Sequence, residues 1–130
     1  MVAAGRNTTN IVSEYTRDRV HYGVLYYPET QRLTDRLRAV VPQGVTVVSA
    51  RWTTYEILTC VMSDPQIDGT DVSIRIKAQV DGNCRIRSDV TLSNGQTLSM
   101  WHVITVPAAP FMPGDVWVQG PYFVEATVTP

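Results

Sequence analysis

The sequence predicts an all-β fold: an immunoglobulin-like antiparallel β-sandwich with an extended N-terminal arm and a C-terminal strand extension. Three observations lead there. Runs of alternating apolar and polar residues recur between residues 45 and 106, the period of a half-buried strand. Clusters of Gly, Asp, Asn and Pro interrupt them roughly every 10–12 residues, as in a sandwich. One pair, Asn94-Gly95, sits between two such runs and is a strong short-range hairpin signal.

Residues 1–44 read as an N-terminal arm and docking segment. Residues 1–19 are polar and small, with little to bury, and are expected to need a partner to become ordered. The stretch VHYGVLYYPE follows, with Val20, Tyr22 and Val24 alternating and Tyr26-Tyr27 ahead of Pro28. Residues 33–41, LTDRLRAVV, leave two possibilities open. Leu33, Leu37 and Val40/Val41 fall at helical spacing, so a short amphipathic helix ended by Pro42 and Gly44 fits. A strand over the same stretch is the alternative.

Residues 45–106 read as the sandwich. VTVVSARWT places Val48, Ala50 and Trp52 on one face, and YEILTCVM forms a second run that alternates Leu58, Cys60 and Met62. SDPQIDGTD (63–71) has the composition of a turn. DVSIRIKAQV sends Val72, Ile74, Ile76 and Ala78 inward; NCRIRSDVTL does the same with Cys84, Ile86, Ser88, Val90 and Leu92. Residues 107–130 are a Pro-rich C-terminal extension with possible added strands at 115–118 and 122–129.

The Asn94-Gly95 turn decides which residues share a face. A two-residue type I′ loop would set Val90 opposite Ser99 and Ile86 opposite Val103. A three-residue loop, Ser93-Asn94-Gly95, with Gly95 left-handed in a G1 bulge, sets Val90 against Leu98, Ser88 against Met100, Ile86 against His102 and Cys84 against Ile104. The second register gathers the apolar residues on one face, and a slip of one residue would turn the whole set outward. The bulged loop is therefore the expectation. Trp101 and Val103 then lie on the opposite face, beside Arg85, Arg87 and Thr91.

Composition narrows the function. At 130 residues, 44% hydrophobic and 18% charged, the chain suits one folded domain with a real core. A net charge of −1 gives no electrostatic footprint for nucleic acid or an anionic membrane. No apolar run approaches the ~18 residues of a membrane span, and the N-terminus lacks the pattern of a signal peptide. Cys60 and Cys84 are accordingly expected as buried thiols in a reducing compartment.

Chemistry is sparse. The two histidines, His21 and His102, stand 81 residues apart with no Asp, Cys or Ser cluster beside either. No nucleophile elbow, phosphate-binding glycine loop or HExxH motif occurs. Asp64, Asp68 and Asp71 around Gly69 echo a calcium loop, but Gln66 stands at its third position and Arg75 at its twelfth. Ordinary turn chemistry explains the stretch better. No catalytic residue, cofactor or metal is expected, and no enzymatic activity.

Between Gly44 and Val106 the sequence resembles a family of small tailed-bacteriophage proteins, the fibre–tail adaptors. The resemblance rests on Ser49-Ala50-Arg51-Trp52-Thr53, on Val72-Ser73-Ile74-Arg75-Ile76, on the Asp81-Gly82-Asn83 turn, and on the hairpin from Val90 to Thr97 closing at Ile104-Thr105-Val106. It covers about half the chain. Family members carry a Ser-Gly-Gly turn where this chain has Ala78 to Gly82, and end at the final strand. The resemblance implies an immunoglobulin-like domain and a non-enzymatic structural virion protein, an adaptor docking on neck, tail or capsid to anchor a fibre or neighbouring subunit. Its partners would be portal, neck, tail or fibre subunits, in a symmetric homo-oligomer on the particle assembled in the host bacterial cytoplasm. A capsid decoration protein and a carbohydrate-binding module are the alternatives. Candidate partner-binding residues are Tyr15, Tyr22, Tyr26, Tyr27, Arg85, Arg87, Trp101, Phe111, Trp117 and Tyr122.

Overall fold

The computed structural model describes residues 10–17, 19–27, 29–56, 59–108 and 125–130. Its strands are β1 (Ile11–Glu14), β2 (Val20–Val24), β3 (Thr30–Arg36), β4 (Val47–Thr54), β5 (Cys60–Asp68), β6 (Asp71–Ala78), β7 (Gly82–Leu92), β8 (Thr97–Val106) and β9 (Glu125–Val128). They form an immunoglobulin-like sandwich of two sheets, ordered β1-β3-β6-β5 and β2-β8-β7-β4-β9.

Alternation builds the interior. Val72, Ile74, Ile76 and Ala78 of β6 face Ala50 and Trp52 of β4, Cys84, Ile86, Val90 and Leu92 of β7 and Ile104 of β8 across the core, and all are buried. The β7–β8 register pairs Val90 with Leu98, Ser88 with Met100, Ile86 with His102 and Cys84 with Ile104. That is the register of the bulged loop. Gly95 adopts φ +88°, Gly95 N donates to Leu92 O at 2.9 Å and Leu92 N to Gln96 O at 2.8 Å.

Four sequence expectations need correction. From residue 10 onward the presumed arm supplies β1, β2 and β3, which belong to both sheets. Two edge pairs, β1–β3 and β2–β8, are parallel, so the sandwich is not purely antiparallel. The chain leaves the first sheet after β1, crosses to the other for β2 and returns for β3, giving the parallel pair the long crossover it requires. Residues 30–36 are strand, and the helical spacing beyond them amounts to one turn, where Leu37 O accepts from Val40 N at 2.9 Å and Val41 N at 3.0 Å. A pair such as Leu33 and Leu37 lies on one face of a helix and equally of a strand.

The other two corrections are bulges. A register shift between Val47 and Ser49 turns Val47 inward and leaves Val48 exposed, against the expected alternation. The stretch 63–71 is mostly strand: β5 runs on to Asp68 through an irregularity between Ser63 and Gln66, and only Gly69-Thr70 turns. Asp64 absorbs the bulge with φ 54°, a conformation that aspartate tolerates better than most residues. The expected strand at 115–118, with Leu58, Phe111, Trp117 and Tyr122, lies outside the described residues. The expected strand at 122–129 is met by β9, added to the β4 edge.

Polar groups also cross the core. Asp35, on β3 of the four-stranded sheet, is 1% exposed. Its Oδ2 accepts from Ser88 Oγ at 2.6 Å, and its Oδ1 lies 2.8 Å from His102 Nε2. Trp52 stacks on His102 with centroids 6.4 Å apart, and His21 of β2 packs at 5.7 Å. An ionised carboxylate in such an interior persists only when its partners are in place. Asp35→Ala, which strips both partners at once, should therefore cost about 3–5 kcal/mol, a large share of a domain's stability. Ser88→Ala, removing one hydrogen bond, should cost about 1–3 kcal/mol. Denaturant unfolding of the two variants measures the difference, and equal midpoints would refute the role given to Asp35.

His21 supplies a pH dependence. Burial, then the neighbouring His102, hold its pKa below the ordinary 6.5. The unfolded chain then takes up a proton at His21 that the folded chain resists, so His21 lowers stability as pH falls below about 6.5. His21→Gln should flatten that part of the stability–pH curve, measured by urea midpoints between about pH 7 and pH 5.

Candidate functional site

The outer face of the five-stranded sheet carries the most distinctive surface chemistry. Cα partners across it run Val20–Trp101–Arg87–Thr53 in one row and Tyr22–Val103–Arg85 in the next. Strand alternation places Val20, Tyr22 and Val24 of β2 on this face, and all three are exposed, Tyr22 at 78%. Tyr55, just past β4, is tied to the face where its N donates to Arg85 O at 3.0 Å.

The aromatic rings here are already occupied. Tyr55 and Trp101 stack with centroids 5.4 Å apart at 25°. Arg85 lies over Tyr55 at 5.3 Å, and Arg87 over Trp101 at 5.4 Å and Tyr55 at 6.0 Å. Each guanidinium also has a carboxylate. Glu56 Oε2 accepts from Arg85 at 2.7 and 3.1 Å, and its Oε1 takes the Arg85 backbone N–H at 2.6 Å. Hydrogen bonding from Arg85 holds the Glu56 carboxyl below the usual range. Arg87 pairs with Asp89 at 3.0 Å, and Asp89 also accepts from Ser99 Oγ at 2.5 Å. Arg51 reaches Asp89 at 3.5 Å and Glu125 at 3.8 Å. The face is thus a charge-balanced lattice holding an aromatic pair, with an apolar strip along β2 that is exposed among the described residues.

β2 is also a sheet edge. It pairs with β8 on one side and has no strand on its other side among the described residues. An edge with apolar side chains and open backbone groups is a template for another strand.

The sequence-predicted residues are not all brought together. Tyr22, Arg85, Arg87 and Trp101 share this face. Tyr26 is exposed just beyond β2, whereas Tyr15 and Tyr27 are half-buried and pack against the core. Tyr15 lines a cleft of about 430 Å³ with Arg17, Val40 and Leu98, near the hairpin end of β8. Tyr55 and Glu56 escaped the sequence reading because they stand in a run read as strand. Nothing local marked Tyr55 as the ring that meets Trp101.

The histidines were read as isolated, but the fold gathers His21, His102, Asp35 and Ser88. The order of bonds matters. Ser88 donates to Asp35 and not to the imidazole, so the Ser–His bond of a Ser–His–Asp triad is not formed in this cluster. In the loop that echoed a calcium site, Asp64 Oδ2 accepts from Arg32 at 2.5 Å, Gln66 at 3.0 Å and Arg75 at 3.2 Å. Arg36 lies 3.7 Å from Asp71. Among the described residues no three His, Cys, Asp or Glu side chains converge as a metal cradle.

The two aromatic groups on the face should behave differently. Trp101→Ala removes a half-buried ring that stacks on Tyr55 and meets the Arg87 guanidinium, and should cost about 1–2 kcal/mol. Tyr22→Ser should change stability by less than about 0.5 kcal/mol. Thermal or urea unfolding separates them; a destabilising Tyr22→Ser would mean that β2 contributes packing and not a free surface.

No family model matches the chain, and no curated protein does. Among solved structures, the chain is similar to the cysteine protease inhibitor EhICP2 from Entamoeba histolytica, with 14% identity over 75% of this chain and 96% of that one, at a TM-score of 0.46. It is also similar to PbICP-C, solved in complex with falcipain-2, with 12% identity over 78% of this chain and 95% of that one, at a TM-score of 0.49. At such identities the likeness concerns the fold alone.

Proposed function

We propose that the chain is a non-enzymatic docking module, a structural protein of a tailed-bacteriophage virion that anchors a fibre or neighbouring subunit on neck, tail or capsid. The observation that carries the docking part is the exposed Val20-Tyr22-Val24 strip on a sheet edge with no further strand among the described residues, beside the Trp101–Tyr55 stack. Interfaces concentrate aromatic and arginine residues in this way. An edge strand can bind by strand addition, with backbone hydrogen bonds supplying affinity and alternate side chains specificity. The virion part rests on the sequence resemblance to fibre–tail adaptors.

Grouped aromatics on a sheet face also suit a carbohydrate-binding module, but a sugar ring needs an open aromatic face. On this surface Trp101 and Tyr55 cover each other, and Arg85 and Arg87 lie over them. Among the described aromatic residues of this face Tyr22 is the most exposed, at 78% against 41% for Tyr55. A protein surface that meets ring edges and β2 fits this arrangement better.

The test uses the phage that encodes the chain. Mass spectrometry of purified particles should find it in stoichiometric amount, and particles lacking the gene should lack fibres. Complementation with Tyr22→Arg should lower infectious titre about tenfold or more, the factor that ~1.4 kcal/mol of lost contact energy produces. Absence of the chain from purified particles would end the virion reading. Binding of the purified protein to empty capsids, with tails unbound, would make it a capsid decoration protein instead.

A further inference from the structure

On its exposed side the sequence of β2, VHYGV, reads the same from either end. Val20, Tyr22 and Val24 point out, at 44%, 78% and 45% exposure. His21 and Gly23 point in, where His21 meets His102 and a side chain at Gly23 would meet Ile11 and Ile104. Backbone direction follows the same alternation. Leu25 N donates to Thr105 O at 3.0 Å, continuing a parallel ladder in which Val24 stands opposite Thr105. Residues 21, 23 and 25 therefore turn their N–H and C=O groups to β8, and Val20, Tyr22 and Val24 turn theirs to the edge. The open bonds and the exposed apolar side chains belong to the same three residues.

We infer, resting on the docking reading of this edge, that the neighbouring subunit it holds is a second copy of the chain, paired antiparallel through β2 about a two-fold axis at Tyr22. That axis sets Tyr22 against the partner's Tyr22, and Val20 against the partner's Val24. Opposed residues of such pairs exchange both N–H···O bonds, so every outward backbone group of β2 finds a mate. Each exposed apolar side chain meets another on the same face. On the inner side His21 falls opposite the partner's Gly23, which has no side chain to crowd it.

Charge permits this contact and selects its direction. No Asp, Glu, Lys or Arg lies within residues 20–24, and Arg85 and Arg87 behind the strip are matched by Glu56 and Asp89. Antiparallel pairing sends the two copies of Arg19 to opposite ends of the contact. Parallel pairing would bring them side by side, which like charges oppose. A two-fold contact uses one surface on both copies and closes at two, doubling the five-stranded sheet. One short strand per copy is at the low end of interface sizes, so the dimer should have a Kd of roughly 10 µM to 1 mM.

The test is sedimentation equilibrium of the full chain across that range of concentration at neutral pH. The unaltered chain should exchange between monomer and dimer and form nothing larger. Val20→Lys with Val24→Lys sets like charges opposite each other at both ends, and should weaken the dimer about tenfold or more. Val20→Lys with Val24→Glu sets opposite charges there in this register alone, and should bind about tenfold more tightly than the double-lysine chain. Both changes lie on the exposed side, and thermal unfolding of each variant checks its fold. An unaltered chain that stays monomeric throughout would overturn the inference whether or not the variants fold; the edge would then be met by another protein or by a segment of this chain outside the described residues. A trimer or larger species would overturn it too, as would a dimer equally strong in both double variants. The two readings fail separately. A monomeric chain whose Tyr22→Arg particles still lose titre refutes the dimer alone, and a dimeric chain absent from purified particles refutes the virion role alone.

Discussion

The carboxylate of Asp35 is the constraint on which the arrangement of the two sheets depends. A buried charge of this kind is costly unless matched, and its matching groups come from strands 53 and 67 residues further along the chain. Three strands in two sheets must therefore be in register together. A slip of β3 by one residue would send Asp35 to solvent and bring Thr34 or Arg36 into the core. Apolar packing alone tolerates such alternatives better, because many hydrophobic side chains fill similar volumes. His21 extends the constraint to β2 through its contact with His102, so the edge strand proposed for docking is positioned by the same cluster.

A second ionic cluster does comparable work on the outside of the other sheet. Arg32 of β3 bonds the Asp64 carboxylate and backbone carbonyl and also Ser73 Oγ on β6. It thereby ties β3, β6 and the bulge of β5 together. The bulge leaves Asp64 left-handed at φ 54°, and the two arginines that grip it offset the conformational cost. This explains why a stretch composed like a turn stays in the sheet. Asp64 finds its partners on neighbouring strands, while Ser63, Gln66 and Asp68 stay exposed to solvent within the strand.

How much could be read from the sequence follows from the same physics. Strands β6 and β7 and the hairpin were legible because their inward positions are apolar, apart from Ser73's neighbours on the outer side and Ser88 within. Period-2 alternation, with one glycine able to take φ +88°, suffices for register there. Strand β3 was not legible, since its inward set, continued one residue past its end, is Gln31, Leu33, Asp35 and Leu37. Half of that set is polar, and its burial makes sense only once Ser88 and His102 are in place. Trp101 could be assigned to the outer face from the turn alone. Its stacking partner Tyr55 could not, because 46 residues separate the two and only the β4–β7–β8 pairing brings them together.

The outer face of the five-stranded sheet shows what kind of contact this architecture favours. Arg85, Arg87 and Arg51 all have carboxylates within reach, so their charges are largely spent within the face. Long-range attraction of an acidic partner is correspondingly weak. What remains unspent is apolar: Val20, Tyr22 and Val24, held on an edge whose backbone groups point outward. Burial of that strip, with backbone pairing along β2, would supply affinity, while the rigid Trp101–Tyr55–arginine lattice beside it would set shape at little entropic cost. A surface of this design neither steers nor selects by charge, so any partner it holds must be recognised by shape and backbone pairing at short range.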